Sequence, residues 1–121
     1  DSALYLTSLA HFPGAFVAHL IKAGGTEIIH RLLPAGADAG ARAMSVITLA
    51  RDDVVVAFRG DVAGQVIPVP RGDNSYGYDT VFVPDGETRT IAEMSTDEKD
   101  AMSPKRQAID QLLDWLKVRG L

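Results

Sequence analysis

Cysteine is absent from this chain of 121 residues. Its absence excludes a disulfide framework, a thiolate metal site and a cysteine nucleophile, and it suits a reducing compartment such as the cytoplasm, where we expect the protein to act. The chain also lacks any apolar run near the roughly 18 residues that a membrane-spanning helix requires, and no signal peptide is recognised at its start. We therefore expect no membrane partner and a fold stabilised by packing alone.

Charged side chains are scarce in the first part of the chain. Residues 1–50 hold three acidic and three basic residues, whereas residues 51–121 hold 13 acidic and nine basic residues. With a net charge of −4, the chain lacks the broad basic surface that binds a nucleic-acid backbone, so we expect no nucleic-acid polymer as a partner. The charge-poor first part predicts exposed apolar surface and a homo-oligomer, a dimer or a larger assembly with the option of exchanged elements.

What is present predicts one folded domain over residues 1–121, since 46% hydrophobic and 23% charged residues give a globular balance. Residues 1–9 alternate loosely and predict a first strand before a turn at 11–14. Residues 43–50 and 54–58 are rich in strand-forming residues and flank Arg51-Asp52-Asp53, which predicts a hairpin. Residues 62–69 predict a further strand of this meander, and 81–83 a short last strand.

Helices are predicted mainly from their ends. Residues 15–22 are followed by two glycines, and residues 27–33 follow a capping threonine at 26. Ser95 to Glu98 has the pattern of a capping box, and Ser103-Pro104 opens a last helix that reaches about Arg119. We expect the apolar stripe of this helix to pack on the sheet; it comprises Ala108, Ile109, Leu112, Leu113 and Leu116. The predicted fold class is α/β (α+β-like): a mixed, mostly antiparallel sheet, short helices and a packed carboxyl-terminal helix.

The densest group of turn-forming and aromatic residues is the segment RGDNSYGYD at 71–79. Two tyrosines beside a glycine can offer a ring to a planar base while the glycine lets the backbone come close. Tyrosines beside turns more often serve as packing anchors, so this alternative stays open at this point.

Further short motifs follow in a fixed order: FVPDG at 82–86, AEMS at 92–95, Glu98-Lys99 and then Ser103. Together with SYGYD at 75–79, they resemble the carboxyl-terminal half of the Ham1/inosine triphosphatase family of nucleoside triphosphate pyrophosphatases. Asp1-Ser2, Phe12-Pro13-Gly14 and Phe58-Arg59-Gly60 resemble earlier segments of that family. The resemblance covers essentially all 121 residues and implies a truncated Ham1-like fold.

The resemblance implies hydrolysis of a non-standard purine nucleoside triphosphate, such as ITP, XTP or dITP, to the monophosphate and pyrophosphate with Mg²⁺. Water must attack a phosphorus atom shielded by negative oxygens, so such a site needs a metal ion and a carboxylate. Asp1 matches the family's metal-binding or general-base aspartate, so it is the predicted catalytic and metal-binding residue. The alternative is a solvated terminal residue.

The resemblance also implies the substrate-binding residues. Tyr76 matches the aromatic position that stacks on the base, and Gly77, Tyr78 and Asp79 match the loop that shapes that pocket. Lys99 matches a lysine that reaches toward the nucleotide, with an exposed helix lysine as the alternative. The last predicted contacts are Ser103, whose capping role is an alternative explanation, and Lys105.

Several positions depart from the family pattern. Pro104 and Lys105 stand where the family has histidine and arginine after the serine. Lysine lacks the planar fork of arginine, so selectivity for the 6-oxo edge of the purine is expected to be relaxed or redirected. Thr80 replaces a proline, and Ala3 replaces a glycine.

The amino-terminal half of the family, which supplies a phosphate-gripping segment and a metal-binding glutamate, has no counterpart in this sequence. The chain begins Asp1-Ser2 without methionine, which suggests a fragment, a processed product or a trimmed chain. Two hypotheses therefore stand. Either the chain is part of a pyrophosphatase that is complete in a longer precursor or is completed by a separate chain, or it is an inactive remnant that self-associates and binds nucleotide weakly or not at all.

Overall fold

The structure is a computed structural model that describes residues 2–73 and 77–119. In this part of the chain, five strands form one sheet in the order β2-β1-β3-β4-β5. Every strand pair in it is antiparallel, which confirms the predicted fold class. The strands are β1 (Ser2–Leu6), β2 (Pro13–Gly14), β3 (Gly40–Arg51), β4 (Val54–Val66) and β5 (Phe82–Pro84).

The long β3–β4 hairpin is the centre of the sheet. Arg51 pairs with Val54 across a two-residue turn, in which Asp52 takes a positive φ of 53°. The predicted hairpin is confirmed, but the expected separate strand at 62–69 is wrong. Residues 62–66 continue β4, because the strand stays in register with β3 as far as Gly40 opposite Gln65.

The register sorts the side chains onto two faces. Leu4, Leu6 and Ala43 lie on the inner face and are buried, and Ile29 and Phe82 complete the same core. The outer face is polar: Arg42 and Arg59 both form ion pairs with Asp61. The helices therefore gather on the inner face, which is also the face that can hold a site.

The helices are α1 (Val17–Gly24), α2 (Ile28–Arg31), α3 (Thr96–Met102) and α4 (Pro104–Val118). Two 3-10 turns span Thr7–Leu9 and Ile91–Glu93. The predicted capping box of α3 is confirmed by reciprocal bonds between Ser95 and Glu98, and Ser103 caps α4 with proline at its first turn. Over the residues that the structure describes, no helix has the length and apolar character needed to cross a membrane.

Local predictions at the ends of elements were less accurate. The first strand ends at Leu6 rather than at residue 9, because the chain turns into the 3-10 segment. Helix α2 is shorter than predicted, and Thr26 gives it no side-chain cap, since Glu27 already has helical φ and ψ angles and occupies the N-cap position. Pro13 and Gly14, predicted as part of a turn, pair with β1.

Helix α4 lies on the inner face of the hairpin, where its side chains form hydrogen bonds with backbone groups at the edge of β4. The amide of Gln107 bonds both the N–H (3.2 Å) and the carbonyl (3.1 Å) of Asp61, and Gln111 donates to the carbonyl of Arg59 at 2.9 Å. Strand β5 reaches only residues 64–66 of β4, so these glutamines replace a neighbouring strand for backbone groups that must otherwise bond water. Trp115 packs edge-on against Phe58.

The predicted apolar stripe of α4 is only partly buried. Ala108 is fully buried, whereas Leu113 keeps 48% of its surface exposed. Residues three and four positions apart share a helix face, and Leu113 is displaced by about 100° from Leu112. A two-stranded ribbon is too narrow to cover so wide a stripe.

The close approach of α4 depends on Gly60. A Cβ atom at this position would lie 2.0 Å from the carbonyl oxygen of Pro104 and 2.7 Å from Cβ of Gln107. Because the carbonyl belongs to the backbone of α4, the clash cannot be relieved by rotating a side chain.

We therefore predict that Gly60→Ala lowers the free energy of unfolding by about 2–3 kcal/mol, the upper part of the range for overpacked sites. Denaturant titration followed by circular dichroism measures the effect. Gly40→Ala is the matched control, since its added Cβ would meet side-chain oxygens and no backbone atom: Asp38 Oδ1 at 3.2 Å and Thr7 Oγ1 at 3.4 Å. An unchanged midpoint for Gly60→Ala would contradict this account of the helix contact.

Candidate functional site

The inner face of the sheet carries a cavity of about 540 Å³. Its floor is formed by Ser2, Ala43 and Ser45 of β1 and β3. Helix α1 forms one wall, and the opposite wall comes from the segment where α3 ends and α4 begins. The remaining side is closed by Ile91 and by the loop after residue 77, which contributes residues 77–79.

Six of the residues predicted to bind substrate line this cavity. They come from three segments of the chain that only the fold brings together: Gly77, Tyr78, Asp79, Lys99, Ser103 and Lys105. The other two predicted site residues, Asp1 and Tyr76, lie outside the described residues. Their predicted roles stay predictions.

Tyr78 lies between the cavity and the core. Its hydroxyl donates to the backbone carbonyl of Ala3 in β1, with 3.3 Å between the oxygens, and its ring meets Phe82 edge-on with centroids 6.1 Å apart. Burial, with a smaller contribution from the Asp79 carboxylate, raises the pKa of the Tyr78 hydroxyl to about 12. The hydroxyl is therefore a protonated donor at neutral pH. Tyr78 acts as a packing anchor and as a cavity wall at once.

Asp79 and Lys99 form an ion pair at the cavity wall, with 3.7 Å between Oδ2 and Nζ. Both side chains are largely buried, with about one fifth of their surface exposed. The backbone of Asp79 is fixed as well, because its carbonyl accepts from the N–H of Ala92 at 3.1 Å. The pair thus connects the loop after residue 77 to helix α3.

Helix α3 is held in place by Glu98, the neighbour of Lys99. Arg89 donates to both oxygens of the Glu98 carboxylate, at 3.1 and 2.7 Å, and also bonds Glu87. The guanidinium of Arg89, followed by the backbone and hydroxyl of Ser95, lowers the pKa of the Glu98 carboxyl to about 2. Glu98 therefore stays ionised and anchors the first turn of α3, which directs Lys99 into the cavity.

Ser103 fills two roles. Its hydroxyl oxygen accepts from the N–H of Arg106 at 3.3 Å, so the capping alternative is confirmed. Ser103 also lines the cavity, next to Pro104 and Lys105. The start of α4 is therefore part of the cavity wall.

Lys22 is a cavity residue that sequence reasoning missed. Helix α1 offers Val17, Ala18, Ile21 and Lys22 to the cavity, the spacing of one helix face. This spacing can be read from the sequence, but nothing in it shows which element the face meets. In the structure, Lys22 has no ion-pair partner among residues 2–73 and 77–119, and it lines the same cavity as Lys99.

The described residues do not form a metal-binding cluster. Among residues 2–73 and 77–119, no group of three or more histidine, aspartate or glutamate side chains could hold a metal ion. The carboxylates at the cavity are Asp79, which is paired with Lys99, and Asp100. These two carboxylates do not form a metal site by themselves, and Asp1, the predicted metal ligand, lies outside the described residues.

Comparison with known proteins identifies the family. A model of the Ham1 family matches residues 1–115. The chain belongs to the Ham1 family. The dITP/XTP pyrophosphatase of Hyperthermus butylicus is 38% identical to this Ham1 chain over 120 residues, and the match covers 99% of the chain and 63% of that protein. The inosine triphosphate pyrophosphatase of Yarrowia lipolytica is 33% identical over 122 residues, which cover 99% of the chain and 64% of that protein.

Solved structures agree with the fold. The Ham1 protein of Staphylococcus aureus superposes with a TM-score of 0.89 at 27% identity, over 98% of this chain and 65% of that one. This Ham1 chain thus spans less than two thirds of the length of the relatives and of the solved structure described above.

One departure from the Ham1 motif leaves a buried polar atom without a partner. The hydroxyl of Thr80, in a residue 7% exposed, has no hydrogen-bond partner in the described parts of the chain. Its backbone carbonyl accepts from the N–H of Arg71 at 2.9 Å, so the residue is held in place despite the cost of burying its hydroxyl.

We predict that Thr80→Val raises the free energy of unfolding by about 1 kcal/mol, because an isosteric methyl group replaces an unsatisfied hydroxyl. Thr90→Val is the matched control: the Thr90 hydroxyl is fully buried and donates to the carbonyl of Arg71 at 2.8 Å. That variant should lose about 1–2 kcal/mol. Equal destabilisation of both variants in urea titrations would show that the Thr80 hydroxyl is satisfied in solution.

Proposed function

We propose that this chain forms the nucleotide-binding part of a Ham1 pyrophosphatase. The proposed reaction is hydrolysis of non-canonical purine nucleoside triphosphates, such as dITP, XTP and ITP, to the monophosphate and pyrophosphate. The observation that carries the proposal is the convergence of six predicted substrate residues on one cavity. The names of the relatives from H. butylicus and Y. lipolytica support the same substrate class.

The base is proposed to occupy the apolar part of the cavity. Val17 and Ile21 of α1 line it together with Tyr78. Flat apolar surfaces of this kind suit a planar purine, and stacking on an aromatic ring is worth about 1–3 kcal/mol per base. Tyr76, the residue predicted to stack, belongs to the same loop segment.

The phosphates are proposed to lie among the lysines. Lys22, Lys99 and Lys105 line the cavity on opposing walls, whereas its carboxylates are Asp79 and Asp100. Three ammonium groups favour a polyanion, and their flexible stems can follow a phosphate chain. The Asp79 carboxylate compensates part of the charge of Lys99. Because three lysines face two carboxylates, the net charge around the cavity stays positive.

Asp1 and Mg²⁺ complete the proposal. We propose that Mg²⁺ arrives with the triphosphate, where it would neutralise the phosphate oxygens, and that Asp1 serves as its protein ligand or as the general base for the attacking water. The chain's described residues then bind and orient the nucleotide around that carboxylate.

Selectivity is proposed to be broader than the family motif implies. Pro104 has no N–H and Lys105 has no planar fork, so bidentate recognition of the 6-oxo edge is lost. Lys105 can still donate one hydrogen bond to an oxo group. We therefore expect a smaller preference for dITP over dATP than a site with arginine would give.

A second candidate function is nucleotide binding without turnover by a self-associating protein. The observation that favours it is the absence of a metal-ligating cluster over residues 2–73 and 77–119. An enzyme and a binding protein differ in product formation, so one assay separates them.

We predict that the full chain releases pyrophosphate from dITP and XTP in the presence of Mg²⁺, measured by chromatography of the nucleoside monophosphate that is formed. Chelation of Mg²⁺ and Asp1→Asn should each abolish turnover. Lys99→Met should reduce kcat/KM about tenfold or more, because a hydrogen bond to a charged group contributes about 1.5–3 kcal/mol. Lys117→Met, at the exposed end of α4, is the matched control and should retain full activity.

The panel also includes ITP, dUTP and ATP. Absence of turnover with every nucleotide would favour the binding protein over the enzyme. Turnover that survives Lys99→Met unchanged would remove Lys99 from the proposed site.

We also propose that the protein acts in the cytoplasm as a homo-oligomer. Large apolar side chains are exposed: Phe12 at 47%, Phe16 at 65% and Val55 at 69%. Phe12 and Phe16 flank β2 at one edge of the sheet, and Val55 lies near the tip of the hairpin. Two separate apolar regions give the chain surface for contact with a second copy.

We predict that light scattering at micromolar concentration gives a mass of a dimer or a larger assembly, and that dilution reduces it. A constant mass near 13.0 kDa over the whole concentration range would contradict self-association. Activity measured across the same range shows whether assembly affects the site.

A further inference from the structure

Three polar contacts of Tyr78 and Asp79 hold the loop after residue 77 against helix α3, the 3-10 turn Ile91–Glu93 and strand β1. The Asp79 side chain pairs with Lys99 of α3, and the Asp79 carbonyl accepts from Ala92. The third contact joins the hydroxyl of Tyr78 to the carbonyl of Ala3, 75 positions earlier in the sequence. The first two contacts join the loop to segments that follow it in the sequence, whereas the third joins it to strand β1, which precedes it.

Ala3 is well placed to transmit this contact. It is buried and pairs with Met44 of β3, so its backbone is fixed by the sheet. Its neighbour Ser2 lines the cavity, and its neighbour Leu4 is fully buried in the core. A change in the distance between Tyr78 and Ala3 therefore alters the position of the cavity wall relative to its floor.

The ring and the hydroxyl of Tyr78 have separate structural roles. The ring packs edge-on against fully buried Phe82, which is enough to keep the side chain in the core. The hydroxyl adds no apolar contact. It makes a directional bond to a strand, and it stays protonated at neutral pH, as its raised pKa requires.

We infer that Tyr78 is a positioning residue, whose hydroxyl holds the base-binding loop in register with the amino end of β1. The inference rests on the proposed function, in which the loop shapes the base pocket and Asp1, the residue that precedes β1 in the sequence, acts at the phosphates. A nucleotide that spans the cavity has its base fixed by one of these parts and its reacting phosphate by the other. Small errors in such alignment reduce the rate of phosphoryl transfer more than they reduce binding.

The test is Tyr78→Phe, which removes the hydroxyl and keeps the ring. A neutral hydrogen bond contributes about 0.5–1.5 kcal/mol, so kcat should fall about 2- to 12-fold. KM should change less than about twofold, and the loss should be the same for dITP and XTP, because the hydroxyl does not touch the base. Tyr5→Phe is the matched control: it removes a tyrosine hydroxyl from the outer face of the same strand and should leave kcat unchanged.

A second readout does not depend on turnover. The ¹³C chemical shift of the Ala3 carbonyl reports its hydrogen bond directly and should move in Tyr78→Phe but not in Tyr5→Phe. An unmoved shift would overturn the inference whether or not the protein is an enzyme. A moved shift in a protein without turnover would retain the contact and reject the proposed function.

Two kinetic outcomes would also overturn the inference. An unchanged kcat in Tyr78→Phe means that the contact does not position anything the reaction needs. A large rise in KM that differs between dITP and XTP means that the hydroxyl contacts the base itself, as a substrate-binding residue.

Discussion

The contact between Gly60 and the first turn of α4 determines where the site can form. The backbone of Pro104 lies directly over Gly60, where even a Cβ atom would be 2.0 Å from its carbonyl oxygen. This close approach brings Ser103 and Lys105 to the cavity wall. Because α3 ends immediately before Ser103, it also lies beside the cavity. Gln107 and Gln111 then close the unpaired edge of β4. Strand β4 therefore needs no neighbouring strand where α4 lies, and the start of α4 forms part of the cavity wall.

Signals that depend on adjacent residues predicted the fold well. The hairpin around Asp52 and the caps at Ser95 and Ser103 follow from turn chemistry and side-chain to backbone bonds, which depend little on the rest of the molecule. The order of short motifs along the chain is enough to predict the family. Six of the eight predicted site residues proved to share one cavity, which spacing along the chain alone could not have established.

The failures have a common physical origin in tertiary contacts. The sequence predicts separate strands at 54–58 and 62–69, yet β4 runs without a break through Gly60 and Gly64, where the missing side chains make room for α4 and for β5. Leu113 belongs to the apolar stripe by spacing, but the surface beneath the helix is too narrow to bury it. Lys22 was missed for the same reason: the face of α1 is visible in the sequence, and its neighbour across the cavity is not.

The sheet has more paired strands at one end than at the other, and this difference determines which part of the protein can unfold locally. Strand β1 pairs with residues 41–45 of β3 and β5 with residues 64–66 of β4, so in the described part of the chain the ribbon from about 46 to 59 has only its own two strands. Trp115 packs on this ribbon through Phe58. The ribbon tip and the second half of α4 should therefore exchange their amide hydrogens together, as one cooperative unit of lower stability. The cavity lies at the other end, so the molecule can fluctuate at its tip while the walls of the cavity keep their shape.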